Sequence, residues 1–402
     1  MNYMFSECSS FEQIDISNFQ TDKLTNMSYM FENCSSLKEL NLSNFNTTNV
    51  TNMYCIFFGC SSLTNLDISN FKINKSVKLP NFLNQLPSLK TINLCKVNTE
   101  DVTDMSQMFI GCSSLEKIDL SDFNANNVVD MNSMFLGCKS LKEIIIPALN
   151  TEKVIYMYQM FYGCESLKRS DLSNLITNNV KSFHIMFYGC TSLEYLNMTT
   201  FNTEKLEYMS YMFQGCETLK EINLLNFKTN LVIDMSNMFK GCLLLKKINL
   251  SSFDTTNLVN ISGMFYGCFS LEHLDVSNFN TNYVTNMKEM FKDCSSLIEL
   301  NLSNFNTDKV TDMSDMFSEC QSLEYLNVAN FKIGKDINMQ KLFKNLSSLK
   351  KLDLSNFNTI EVVNMSNMFF GCSSLEEIIF TELKTDNVTN MSYMFFGCSS
   401  LL

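Results

Sequence analysis

The sequence repeats itself with a strict period of 26 residues, and this period limits the fold more than any other feature. The period is marked by Cys8, Cys34, Cys60, Cys112, Cys138, Cys164, Cys190, Cys216, Cys242, Cys268, Cys294, Cys320, Cys372 and Cys398. Leu86 and Leu346 occupy the two positions of this column that lack cysteine. Because no insertion or deletion breaks the register, the chain is expected to build one structural unit many times and to stack the copies.

Two apolar patterns alternate within one repeat. Over residues 50–60, apolar side chains follow one another at steps of three, three, one and three, which predicts one face of a short helix. The methionine columns of Met27 and Met30 share this face and are predicted to pack in the core. The segment "LKELNLSNF" (residues 37–45) alternates apolar and polar residues, which predicts a strand with one buried face. Ser170 replaces the Leu or Ile of other repeats in this strand and is expected to be a local weak point.

Strands that lie one period apart in the same register must run parallel, with the helical segments as crossovers between them. We therefore predict an α/β solenoid of about 15 turns of 26 residues. A parallel β-sheet is expected on one face and short helices on the other. The solenoid is expected to form a single domain over residues 1–402, without capping units.

The strand segment is similar to the L-x-x-L-x-L core of leucine-rich repeats. The "MF..C" half resembles the variant found in BspA-type bacterial surface proteins and the related DUF285 repeats, and the similarity extends over essentially the whole chain. One feature departs from the common leucine-rich repeat: an Asn-Phe pair, such as Asn44 and Phe45, follows the strand, and the phenylalanine is expected to fill that corner. The resemblance implies an extracellular or cell-surface adhesion or binding module.

Composition and charge argue against several classes of function. Hydrophobic residues make up 45% of the chain and charged residues 18%, a balance typical of proteins that bury a core. The net charge of −12 and the single arginine argue against nucleic acid binding, because affinity for phosphate needs clustered Lys and Arg. The sequence has no apolar run of 18 or more residues, no basic-then-apolar leader and no acylation motif, so it predicts no direct membrane insertion.

The 16 cysteines suggest either metal binding or disulfides. Zinc ligands usually occur in pairs two to four residues apart, whereas the column spacing is 26 and the chain has two histidines; no metal is expected. Disulfides between neighbouring turns are geometrically allowed, but the column is broken into runs of three, nine and two, and leucine fills its gaps. Buried free thiols that act as small hydrophobic side chains are therefore predicted. Cys95 lies outside the column, faces outward and is predicted to be more reactive.

The sequence offers no catalytic centre. His184 lies in the first half of its repeat, and His273 lies on an outward strand position more than three turns away, so the two cannot act together. No Gly-rich phosphate loop, HExxH motif or GxSxG motif is present, and the carboxylates are spread along solvated columns. We expect neither enzyme activity nor a cofactor.

Two outward columns of the strand are candidates for recognition. In the column of Asn41, 13 of 15 positions are Asn or Asp; this uniformity favours a ladder of side chains that bond to their stacked neighbours, because it offers a ligand no distinct address. The column two residues earlier varies, and Arg and Tyr are residue types that anchor interfaces. We predict a ligand-binding patch in this variable column, with unselected surface variation as the alternative. Its residues are Arg169, Tyr195, Glu221, Lys247, His273 and Tyr325.

Three functions remain open. The first is a non-enzymatic binding or adhesion module that presents an extended strand face to a protein or glycan ligand at a cell surface. The second is a structural protein whose own copies assemble end to end into a filament or surface lattice, since Met1 and Leu402 both fall within a repeat and neither end has a polar cap. The third is an intracellular interaction scaffold.

Overall fold

A computed structural model describes residues 1–75, 77, 79, 82–146, 149–334, 337–381 and 383–402. These residues form two compact units, Met1–Asn202 and Thr203–Leu402. Within each unit, successive repeats lie side by side as turns of a parallel-strand solenoid. The expectation that residues 1–402 make a single domain stays a prediction.

Short strands form in the second half of the repeat. The first unit contains β1 (Glu39–Asn41), β2 (Asn65–Asp67), β3 (Thr91–Asn93), β4 (Lys117–Asp119), β5 (Glu143–Ile145), β6 (Arg169–Asp171) and β7 (Tyr195–Asn197). The second unit contains β8 (Glu299–Asn301), β9 (Tyr325–Asn327), β10 (Lys351–Asp353) and β11 (Glu377–Ile379). Strands thus form in eleven of the 15 predicted turns. Among the described residues, none forms at 13–15, 221–223, 247–249 or 273–275, so the predicted number of turns is confirmed only in part.

The strands pair in parallel and in the predicted register. Leu40 of β1 lies opposite Leu66 of β2, one period later, and the same offset joins β2 to β3, β4 to β5, β6 to β7, β8 to β9 and β10 to β11. The central side chain of β1 points into the core, while its two neighbours are exposed. The prediction of parallel strands with one buried face is confirmed.

The predicted short helix is wrong, because the described residues contain no helix. In residues 26–34 and their equivalents, here called the turn half, the N–H groups alternate between two kinds of partner. The N–H of Cys34 donates to the carbonyl of Phe31, three residues back, at 3.1 Å, whereas the N–H of Phe31 donates to the carbonyl of Ile56 in the next turn at 2.9 Å. An α-helix would bond every N–H four residues back within the same segment. Consecutive tight turns place apolar residues at nearly the same spacing as a helix does. The apolar spacing in the sequence therefore did not distinguish tight turns from a helix.

Left-handed residues enforce this conformation. In every described repeat, the position of Tyr29 has a φ between 51° and 59°, which no α-helix accepts. A second left-handed position precedes the cysteine and is usually glycine, as at Gly137, where φ is 74°. Glycine takes this conformation without strain, and here it closes a turn and not a helix.

Phenylalanine rings form a stacked row in the core of each unit. Phe109 and Phe135 stack with centroids 5.5 Å apart and planes 4° apart, and Phe317 stacks on Phe343 at 5.7 Å and 1°. From Met27 to Met368, the methionines of these two columns are buried beside the rings, which confirms their predicted place in the core. Each repeat thus buries its apolar side chains against the next repeat, and a single repeat could not bury them alone.

The regular cysteines are free thiols, and most are fully buried. The thiol of Cys138 donates to the carbonyl of Phe109 in the preceding turn at 3.2 Å, and equivalent contacts recur along the column. Burial raises the pKa of Cys190 and of Cys242 to about 12. Leu86, in the same column, is also buried, so the prediction of buried thiols in an apolar position is confirmed.

A threonine column that the sequence analysis did not single out also joins neighbouring turns. Thr151 is fully buried; its hydroxyl donates to the carbonyl of Ile176 and accepts from the N–H of Ile176, both at 2.7 Å. Thr307 and Lys332 make the same pair of bonds in the second unit. The sequence does show a threonine at this fixed offset. Because threonine is also common on protein surfaces, its burial was not predicted.

At the Asn-Phe corner, the phenylalanine packs in the core and the asparagine bonds the backbone of the preceding turn. Phe45 is buried and stacks on Phe19 at 6.4 Å, as expected for a residue that fills the corner. The side-chain amide of Asn304 donates to the carbonyl of Ser277 in the preceding turn at 2.8 Å. The asparagine therefore still bonds the backbone between turns.

Candidate ligand-binding surface

The variable column occupies the first position of each strand, where the side chain points outward. Tyr195 is 43% exposed and Tyr325 is 53% exposed. The six predicted residues are divided between the two units: Arg169 and Tyr195 belong to the first, and the other four belong to the second.

In the first unit, the structure brings Arg169 and Tyr195 together. The two residues are direct neighbours in the register of β6 and β7, and the Arg169 guanidinium lies over the Tyr195 ring, 4.6 Å from its centroid. A cation–π contact of this kind at an exposed position is worth about 0.5–1 kcal/mol. It holds two long side chains together on the outer face.

In the second unit, two of the predicted residues form a charge pair with each other, and a third lies near a carboxylate. Lys247 Nζ lies 3.5 Å from a carboxylate oxygen of Glu221, and His273 Nδ1 lies 3.9 Å from one of Glu299. All of these side chains are largely exposed, so each pair contributes at most about 1 kcal/mol. Tyr325 is on β9, which pairs with β8.

Charge pairing between turns accounts for part of the variation in this column. Lys117 pairs with Glu143 at 2.9 Å, and Lys351 pairs with Glu377 at 2.8 Å. Residues of opposite charge one period apart were visible in the sequence, and they predict cross-strand pairs. Recognition and unselected surface variation were the two explanations drawn from the sequence, and pairing between turns is a third explanation for the charged positions.

The Asn and Asp column has two kinds of partner, and the predicted bonds to stacked neighbours are the less frequent kind. Asp171 accepts a hydrogen bond from the N–H of Ser173 at 3.0 Å, and Asn197 accepts one from the N–H of Thr199 at 3.2 Å, which are Asx turns. Hydrogen bonds from the Ser173 side chain and backbone lower the pKa of Asp171. Bonds between stacked neighbours also occur, as from Asn197 to Asp171 at 3.0 Å, but ending the strand is the recurrent role.

A polar groove that the sequence analysis missed lies over β1, β2 and β3. Its volume is about 460 Å³. The Asn65 amide donates to Glu39 at 3.0 Å, the Thr91 hydroxyl donates to Asn65 at 2.6 Å, and the Asn93 amide donates to Asp67 at 3.1 Å. Glu, Asn and Thr are ordinary surface residues, so only the register that aligns them reveals the groove. The lining side chains therefore form a chain of hydrogen bonds across three turns.

The described residues contain no group of three or more His, Cys, Asp or Glu side chains that could hold a metal ion. His184 lies in the first unit and His273 in the second. Within the part of the chain that the structure describes, no helix has the length and apolarity needed to cross a membrane.

Solved structures of other proteins are similar to this chain. A leucine-rich repeat protein from Bacteroides ovatus is 20% identical, covers 94% of this chain and 81% of its own, and has a TM-score of 0.53. A leucine-rich cell surface protein from Faecalibacterium prausnitzii is 17% identical, covers 91% of this chain and 82% of its own, and has a TM-score of 0.40. At such identities the first likeness supports the leucine-rich-repeat solenoid and nothing beyond the fold. No curated protein matches this chain in sequence.

The family described as "Mycoplasma protein of unknown function, DUF285" matches the chain in five overlapping segments. These are residues 1–92, 79–195, 182–300, 240–351 and 337–401. Together they span nearly the whole chain, which confirms the resemblance drawn from the strand and cysteine motifs. This chain belongs to the DUF285 family.

Proposed function

We propose that this chain is a non-enzymatic binding module that presents the outer face of its strands to a protein or glycan ligand at a cell surface. The observation that carries this proposal is the Arg169–Tyr195 pair on β6 and β7. Arg and Tyr are enriched among residues that dominate binding energy. This pair has no structural need in the repeat, because other turns fill the same positions with unrelated residues.

The backbone beneath this pair supports a binding role. Strand pairing, the threonine bonds and the Asx turns fix each turn against its neighbour, so exposed side chains are displayed on a preformed surface. Binding to such a surface requires little ordering of the protein, which favours affinity. The polar groove over β1–β3 adds hydrogen-bonding groups suited to an amide or hydroxyl-rich ligand.

The test is a binding screen of the intact chain against an array of extracellular-matrix proteins and glycans. The variant R169A/Y195A should lose at least about tenfold in affinity for the array ligand, equivalent to about 1.4 kcal/mol. The matched control is K117A/E143A, which removes an exposed pair from the same column on β4 and β5 and should leave binding unchanged. Equal binding by R169A/Y195A and the wild type would overturn the assignment of this patch.

A further inference from the structure

In the turn half of the first unit, Tyr156 occupies a position that holds Asn or Asp in most other repeats. The equivalent positions Asn26, Asn52, Asp104 and Asp130 each accept a hydrogen bond from the N–H two residues later, at 2.8–3.0 Å. Tyrosine has no acceptor that can make this Asx turn. The chain therefore gives up a recurrent stabilising bond at residue 156, which is typical of positions kept for another reason.

Other aromatic residues concentrate around this departure. Tyr158 stands in a column whose commonest residue is serine, and its ring meets the Tyr156 ring edge-on at 6.5 Å. In the same turn half, Tyr162 stacks on Tyr188 at 4.9 Å with planes 3° apart. Ile185 has a φ of 58°, a conformation that strains a β-branched residue. Tyr156 is 42% exposed, so this aromatic group reaches the surface.

Two carboxylates border the tyrosines. Asp104 pairs with Asp130, and Asp130 pairs with Tyr156, as neighbours in successive turns. This register places Asp130 one turn and Asp104 two turns before Tyr156. Burial raises the pKa of Tyr158, and Asp130, Tyr156 and Asp104 raise it further. The electron-rich rings of Tyr156 and Tyr158 thus have two carboxylates, those of Asp104 and Asp130, in the neighbouring turns.

We propose that Tyr156, Tyr158, Asp104 and Asp130 form a second binding surface, on the turn half of the first unit, that takes an Arg or Lys side chain from a basic segment of a protein partner. Aromatic faces attract cations by about 0.5–2 kcal/mol, and a carboxylate adds a charge-assisted hydrogen bond. The net charge of −12 draws a basic partner toward the chain. This surface is separate from the strand face and does not depend on the ligand proposed there.

The repeat supplies variants that remove the recognition groups and keep the fold. Y156N and Y158S restore the residue types found in other turns, and Y156N should regain the lost Asx turn. D104N/D130N removes both charges but keeps the Asx turns, as Asn26 and Asn52 do. The matched control is Y54S. Tyr54 occupies the same column as Tyr158 and is 44% exposed, but its neighbours in the column of Asp104 and Asp130 are Asn26 and Asn52.

The probe is a fluorescent dodecapeptide with four arginines among glycines and serines, compared with its counterpart in which citrulline replaces arginine. Anisotropy titrations at about 150 mM salt, where distant charges are largely screened, should show binding of the arginine peptide only. Y156N/Y158S and D104N/D130N should each weaken it about tenfold or more, while Y54S should not. Thermal melts should place both double variants at or above the wild-type midpoint. Undiminished binding by either double variant, or no binding of the arginine peptide by the wild type, would overturn the proposal.

Discussion

Replacing Ser170 with leucine should stabilise the first unit. Ser170 lies at the centre of β6, is only 3% exposed and faces Leu196 of β7 in the strand register. Among the described residues, its hydroxyl oxygen is one of the few buried side-chain atoms without a hydrogen-bond partner. The same position holds Leu40, Leu66 and Ile118 in other turns, so the surrounding repeat is built for a larger apolar side chain.

The change in the free energy of unfolding of S170L is the sum of three contributions. Burying a leucine side chain stabilises by about 1.5–3 kcal/mol, and removing an unpartnered buried hydroxyl relieves about 1–3 kcal/mol. Because neighbouring side chains have adjusted to serine, refitting leucine costs about 1–3 kcal/mol. The expected net gain in the free energy of unfolding is about 2 kcal/mol. The variant S170A removes the hydroxyl without filling the space and should gain only about 1 kcal/mol.

Urea denaturation followed by circular dichroism measures this gain as a shift of the midpoint at constant slope. Hydrogen exchange of the β6 and β7 amides should slow in S170L, which localises the effect. If S170L unfolded at lower urea concentration than the wild type, the turn would be packed tightly around serine. The interpretation of Ser170 as an unfilled position in the core would then be refuted.

Three further predictions rest on other columns. Cys95 is exposed and should be the first thiol to react with DTNB in the native protein, while the fully buried column thiols should react only on unfolding; rapid reaction of most thiols at once would contradict their burial. I185N should raise the free energy of unfolding by about 1 kcal/mol, because asparagine tolerates the left-handed conformation; an unchanged melting midpoint would show that the isoleucine is not strained. Hydrogen bonds from Ser173 lower the pKa of Asp171, so its contribution is present above the unfolded pKa of about 3.9 and is lost as the pH falls through the lower folded value. D171N keeps the Asx acceptor and should flatten the acid side of a melting-temperature profile below about pH 4, whereas an identical profile would argue against this contribution.

The strands and the buried columns could be predicted because burial selects residue type at those positions. Leu40 alternates with polar neighbours, and Cys138 shares its column with Leu86; both patterns follow directly from which side chains meet the core. The tight turns could not be predicted in the same way. The left-handed position of Tyr29 holds Tyr, Gln, Ile, Glu and Lys in different repeats, so no residue type marks it. Its backbone is held by bonds to the next turn, which a local pattern does not contain.

The candidate surfaces were predictable to a smaller extent. Arg169, Tyr195 and Tyr325 lie on strands as predicted, and Arg169 contacts Tyr195 there. The predicted strand positions of Glu221, Lys247 and His273 are wrong, because no strand forms at these residues. The pairing of Lys247 with Glu221 was implied by opposite charges one period apart. The tyrosines at 156 and 158 were overlooked because an exposed tyrosine is unremarkable until the Asx turns of neighbouring repeats show what it replaces.

The central claim is that this chain displays its outer face to other molecules and does not build an assembly of its own copies. Light scattering from micromolar to the highest attainable concentration tests this claim most directly. The account predicts a constant mass near 46.2 kDa, because a net charge of −12 opposes close packing of identical chains. A mass that rises steadily with concentration, with the scattering of growing rods, would contradict the binding-module account and favour self-assembly.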